Sequence, residues 1–113
     1  MNLKVHELKN KAAHAGDGEQ ILGSQDTGSH ACYLVYGVMK ARESGRRLKA
    51  GSGHEEMVLA VKGDFLVTGH YAGTLSEGSA FHLVGEETCF LENQGDAEAV
   101  YVLAGGHSSG GHH

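Results

Sequence analysis

The chain has no proline and no tryptophan, two cysteines, and only 6% aromatic residues. Without proline, its 18 glycines do not describe collagen or a Pro-rich linker; they fit many tight turns between short strands. Cys32 and Cys89 stand alone in apolar segments, which excludes a disulfide framework and predicts two buried, reduced thiols. No apolar run approaches the ~20 residues of a membrane helix, so no membrane association is expected. The opening MNLKVHELKNKAAHAG lacks the long apolar core of a signal peptide, which leads us to expect a cytoplasmic protein. Positive charge is also scarce: 9 Lys and Arg against 14 Asp and Glu give a net charge of -5 with neutral His. A general nucleic-acid partner is therefore not expected. There is no P-loop, no dinucleotide fingerprint and no nucleophile-elbow serine.

What is present is alternation. In ACYLVYGVMKA, Cys32, Leu34, Tyr36 and Val38 alternate with Tyr33, Val35, Gly37 and Met39. Both sets are apolar, as in a strand inside a sandwich or barrel. EEMVLAVK, FLVTGHY, SAFHLV, TCFLEN and AVYVLAG follow at short spacing, separated by Gly-rich turns that include AGTLSEG. About eight strands in one all-β domain over residues 1–106 are predicted. LKVHEL reads as a first edge strand, HAGDGEQILGSQDTGSH as a loop, and residues 107–113 as a flexible His/Gly/Ser tail.

The stretch GSGHEEMVLAVKGDF poses a chemical question. In a strand, His54, Glu56, Val58 and Ala60 share one face, and Glu55, Met57, Leu59 and Val61 the other. The second face is apolar apart from Glu55. The first is small and aliphatic inside and polar at its mouth. A carboxylate there is expensive unless paired or bound. Glu56 is therefore either a ligand or general base in a barrel mouth, or a rim carboxylate paired with Arg46, Arg47 or Lys49. His54 is either a pocket residue or an exposed turn residue.

Glu56, six residues, then Gly63 is the second half of the first cupin motif, G-x5-H-x-H-x3-4-E-x6-G. The second motif, G-x5-P-x-G-x2-H-x3-N, is echoed in GSAFHLVGEETCFLEN, from Gly78 to Asn93. Over residues 31–104 the chain thus resembles a small cupin, which implies a double-stranded β-helix, or jelly roll. The motif-one histidine positions hold Ser52 and Ala50, or Gly51 and Lys49. In motif two, Val84 replaces Pro, Glu86 replaces Gly and Cys89 replaces His. The resemblance carries over Glu56 alone from the family's three-His, one-Glu metal set, with Cys89 as a soft candidate in the fourth position.

His54, on the Glu56 face, and His82, in an apolar strand, complete the candidate set for a divalent Zn, Fe, Ni or Mn; the alternative for His82 is a packed or hydrogen-bonded core residue. Tyr33 and Tyr36 lie on opposite faces of their strand, and whichever points inward is a candidate to hydrogen-bond a ligand; core packing is the alternative. His70 reads as a surface turn residue, and His107, His112 and His113 as either a loose Ni or Zn tract or an incidental one. The turn carrying Lys40, Arg42, Arg46, Arg47 and Lys49 reads as a solvated hairpin tip, or as an attractor of anions. The functional expectation is a barrel that binds a small polar molecule, with a divalent metal in a non-standard site. If it is an enzyme, the resemblance implies metal-assisted oxygenase or isomerase chemistry on a small organic acid or sugar. The alternative is a metal-free, non-catalytic metabolite-binding, sensor or dimerisation module. A homodimer is expected, with LKVHEL as the segment that covers an open sheet edge.

Overall fold

The computed structural model describes residues 1–108. Among them are nine strands and two short helices. In chain order these are α1 (Lys9–His14), β1 (Glu19–Leu22), α2 (Ser24–Thr27), β2 (Cys32–Met39), β3 (Arg46–Lys49), β4 (His54–Lys62), β5 (Phe65–Gly69), β6 (Gly73–Leu75), β7 (Ala80–Val84), β8 (Thr88–Glu92) and β9 (Ala99–His107). One antiparallel sheet has the order β1-β2-β9-β4-β7, the other β3-β8-β5-β6. The two face each other around one core, with Val35, Met39, Val58, Ala60, Leu83, Tyr101 and Leu103 from the first sheet and Leu48, Phe65, Val67, Leu75, Cys89 and Leu91 from the second. This is the jelly roll that the strand spacing and the motif resemblance imply.

The register answers the question posed by the polar start of β4. Glu56 pairs with Gly105 and Leu83, Val58 with Leu103 and Phe81, and Ala60 with Tyr101. The face carrying Glu56 is therefore the core face. Met57, Leu59 and Val61 point outward, 57%, 39% and 44% exposed.

The N-terminal third departs from expectation. LKVHEL forms no strand: residues 1–6 are exposed, and the first element is α1, whose Ala12 is fully buried. The expected loop contains β1, which pairs with β2 from Glu19↔Gly37 to Leu22↔Leu34. The four residues of β1, two polar followed by two apolar, do not alternate and are too short to register as a strand. The turn AGTLSEG likewise contains three-residue β6. Cys32, expected to be buried, is exposed at the start of β2, and Cys89 is fully buried. Both faces of this strand are apolar, so alternation does not say which meets the core, and Cys32 lies on the outward face, opposite Tyr33, Val35 and Met39. β9 runs through His107, which pairs with His54, so the sheet takes the first residue assigned to the tail. His112 and His113 lie outside the described residues.

Candidate functional site

The entrance to β4 is clamped. The N–H of His54 donates to Gly51 O at 3.0 Å, and the N–H of Gly85 donates to His54 O at 2.9 Å. Two residues on, Glu56 lies between Leu83 of β7 and Gly105 of β9. Gly105 in turn pairs with Tyr33 of β2. A Cβ at Gly105 would overlap the Tyr33 ring; the missing side chain lets the phenol lie across the strand. The Tyr33 hydroxyl then donates to Glu56 Oε2 at 2.5 Å. Burial, and after it the hydrogen bond and charge of Glu56, push the Tyr33 phenol well above its ordinary pKa.

Glu56 is 6% exposed, and its second oxygen, Oε1, is buried without a hydrogen-bond partner. None of the basic residues expected to neutralise it does so. Arg46 pairs with Glu43 at 2.9 Å and Lys49 with Glu86 at 2.8 Å, and among the described residues no cation forms a salt bridge with Glu56. Two imidazoles stand at the same end. His54 and His107 face each other with ring centroids 4.9 Å apart, and the Tyr33 ring meets His54 edge-on at 6.2 Å. His54 Nδ1 lies 3.1 Å from Ser52 O. A carbonyl only accepts, so this contact places the proton on Nδ1 and leaves Nε2 with its lone pair in the neutral ring.

The structure thus groups Glu56, Tyr33 and His54, and adds His107. Tyr36 is on the opposite face of β2 from Tyr33 and does not join this group. His82 lies on the outward face, where it pairs with Met57 and its Nε2 meets Glu55 at 2.7 Å. Cys89 faces the core from the other sheet, where its Sγ accepts the Tyr71 N–H at 3.4 Å. His70 is exposed and meets Glu87 at 3.3 Å. Among the described residues no three His, Cys, Asp or Glu side chains form a group that could hold a metal ion. The residues present therefore do not fit the family's divalent metal: the motif-one imidazoles are missing, and His82 and Cys89 do not join Glu56. His107, read from the sequence as part of the tail because it sits in a Gly-rich end, instead pairs with His54. Besides the polar start of β4, the sequence signal for this group is the glycine pair interrupting the apolar β9.

A second polar cluster lies along the same pair of strands. Gly37 of β2 pairs with Tyr101 of β9, and a Cβ at Gly37 would overlap the Tyr101 ring. The Tyr101 hydroxyl donates to Glu19 Oε2 and accepts from Arg46 Nη1 at 2.6 Å. Arg46 also reaches Val38 O at 3.0 Å. Burial alone would raise the Glu43 carboxyl, but the Lys40 N–H and the Arg46 guanidinium outweigh it and hold the carboxyl below its usual range.

The motif residues the chain retains do structural work. Gly63 and Gly78 sit in turns at φ 79° and 84°, a region that favours glycine. Asn93 is 3% exposed, donates to Lys40 O at 3.0 Å and Ala97 O at 2.8 Å, and accepts the Gly95 N–H at 3.0 Å.

Searches by sequence against family models and curated proteins return no match. Solved structures do match. A predicted oxalate decarboxylase from Thermotoga maritima superposes with a TM-score of 0.65 at 13% identity, covering 79% of this chain and 80% of that one. A conserved double-stranded β-helix protein from Klebsiella pneumoniae gives 0.62 at 9% identity, covering 74% and 73%. The Cnp3 cupin domain of Schizosaccharomyces pombe gives 0.61 at 10% identity; the match covers 69% of this chain and 57% of that one, little more than half its length. At such identities the likeness is one of fold. With its two facing antiparallel sheets and the surviving motif glycines, it makes this chain a small cupin-like protein, a double-stranded β-helix.

Proposed function

We propose that this is a cytoplasmic, metal-free binding protein that takes a small polar molecule at the Glu56 end of the barrel. The observation that carries the reading is the orphaned Oε1 of Glu56. An unpaired buried carboxylate oxygen is destabilising by about 1–3 kcal/mol or more, and a ligand that donates an N–H or O–H to it removes that cost. Tyr33 holds the other oxygen, and His54 and His107 add polar groups beside it. A ligand with an amine, amidine or hydroxyl suits this acceptor, and an anion does not. Glu56 is the residue to which a catalytic role would fall, as a base. The outward Met57 and Leu59, with Val84 beside them at 37% exposure, offer a second copy an apolar face, in keeping with a homodimer.

A thermal-shift screen of small amines, amidines and polyols tests the binding reading on the full chain. The expected result is a ligand that raises the melting temperature of the wild type and not of Glu56→Gln. Hits that Glu56→Gln leaves untouched would move the site elsewhere. One equivalent of tightly held Zn, Fe, Ni or Mn in elemental analysis, lost in Glu56→Ala, would replace this reading with the metal site.

A further inference from the structure

Four strands end a sheet: β1 and β7 in one, β3 and β6 in the other. An edge strand bares a row of N–H and C=O groups, and shortness or charge keeps other chains off it. β6 has three residues. β3, RRLK, is basic, and β1, EQIL, opens on Glu19. β7, AFHLV, is the longest of the four at five residues and carries no Lys, Arg, Asp or Glu. Its open side follows from the ladder. Ala60 N–H donates to Ser79 O at 3.0 Å, and Gly85 N–H to His54 O at 2.9 Å. Backbone groups turn to alternate sides along a strand, so residues 79, 81, 83 and 85 bond β4, and Ala80, His82 and Val84 face away from it. Val84 is capped: its N–H donates to Glu87 Oε1 at 2.8 Å, and its carbonyl accepts the Glu87 N–H at 3.1 Å. Ala80 and His82 keep a bare N–H and C=O each among the described residues.

This edge borders a cleft of about 440 Å³, lined by residues 72–75 on one side and 79–82 on the other. Val67 and Leu75, both buried, form its floor, and Phe81 packs against the core beside them. No Lys, Arg, Asp or Glu lines it. Carboxylates surround it instead: Glu55 beside His82, Glu87 at the Tyr71 hydroxyl, and Glu77 in the turn between β6 and β7. The same chain holds a segment of matching character. Residues 1–6, MNLKVH, have one cation, Lys4, and no carboxylate. Met1, Leu3 and Val5 alternate with Asn2, Lys4 and His6, and Leu3 and Val5 are 87% and 76% exposed. The arm cannot serve its own cleft. It leaves from α1, which packs against β1 and β2, and β1 and β7 lie four strand spacings apart, about 19 Å. Residues 1–8 extended span about 26 Å, which leaves about two residues to pair. We propose that the cleft between β6 and β7 receives residues 1–6 of a second copy as a strand added to β7, with Leu3 and Val5 over Val67, Leu75 and Phe81, and Lys4 and His6 outward. Each copy gives one arm and takes one. Glu56 does not line this cleft, so the inference stands apart from the Glu56 site.

Sedimentation equilibrium of the full chain, with amide exchange read by NMR in the same samples, tests it. The wild type is expected to form a dimer in which the Ala80 and His82 amides exchange at least about tenfold more slowly than in the monomer. Leu3→Asp combined with Val5→Asp should weaken the dimer at least about tenfold, since two apolar side chains lose their cover, and should leave both amides exchanging as in the monomer. Residues 1–6 are exposed, so this variant is expected to fold. Glu56→Gln should leave the dimer as it is, so this test and the thermal-shift screen can fail separately. A wild type that stays monomeric up to about 1 mM, a smaller loss in the double variant, or exchange at Ala80 and His82 that does not change on dimerisation would each overturn the proposal.

Discussion

Two Tyr–Glu pairs take their tyrosines from the paired strands β2 and β9, and they are built alike. In each, a glycine on one strand leaves room for a tyrosine on the other: Gly37 beneath Tyr101, and Gly105 beneath Tyr33. In each, the phenol donates to a glutamate. The difference is what stands behind the glutamate. Glu19 shares Tyr101 with Arg46, which is anchored by Glu43 and a backbone carbonyl. Glu56 has no such cation and keeps one oxygen bare. The first pair is a closed network that stabilises the fold. The second is incomplete, and completion from outside is what a binding site requires.

The sharpest way to break the parallel is to fill the two glycine gaps. Gly37→Ala would drive a methyl into the ring of a fully buried tyrosine, and should cost about 3–4 kcal/mol in urea unfolding. Gly105→Ala presses on Tyr33, which is only partly buried and can swing aside, and about 1 kcal/mol is expected. Equal losses would mean that both rings are equally locked.

Removing the cation comes next. Arg46→Ala leaves Glu19, Glu43 and Tyr101 without their shared donor, and should lower stability by about 3 kcal/mol. No substitution of a cation should have that effect through Glu56.

The carboxylates themselves should then respond with opposite signs. Glu19→Leu is expected to cost about 1 kcal/mol, whereas Glu56→Leu should gain about 1–2 kcal/mol, because it removes an uncompensated buried charge. A loss in both would show Glu56 to be as well compensated as Glu19.

The smallest effect is alkaline. Burial, and then the partner glutamate, raises both phenols above the ordinary value of 10.0. The unfolded chain releases these protons from about pH 10 while the folded chain keeps them. The unfolded state then binds fewer protons, so stability is full below pH 10 and falls as pH rises above it. Urea midpoints between pH 9 and 11 should fall less steeply in Tyr101→Phe and in Tyr33→Phe than in the wild type. An unchanged slope in either variant would mean that its phenol titrates freely in the fold.

Much of the frame was legible because a strand has a period of two. The alternation in ACYLVYGVMKA and EEMVLAVK placed β2 and β4, and the motif spacing placed Gly63, Gly78 and Asn93. Glu56 stood out because its neighbours Val58 and Ala60 share its face. β1 was hidden in a stretch too short to show a period, and LKVHEL alternates without a partner strand beside it. Exposure of Cys32 depends on which of the two apolar faces of β2 meets the facing sheet. His82 and Glu56 lie on opposite faces of neighbouring strands, a matter of register that no spacing along one chain encodes.

By itself, then, the sequence determined the class of fold, the turn positions that need glycine, and a carboxylate on an aliphatic face, because these follow from local periodicity and backbone sterics. Tertiary structure decided the rest. Cross-strand pairing set Tyr33 over Gly105 and on to Glu56, and brought His107 beside His54. It also turned His82 outward to Glu55 and left β6 and β7 apart. Each of these is a contact between residues distant in the chain, fixed by which strands pair and in what register, and that choice is made only when the whole core is packed.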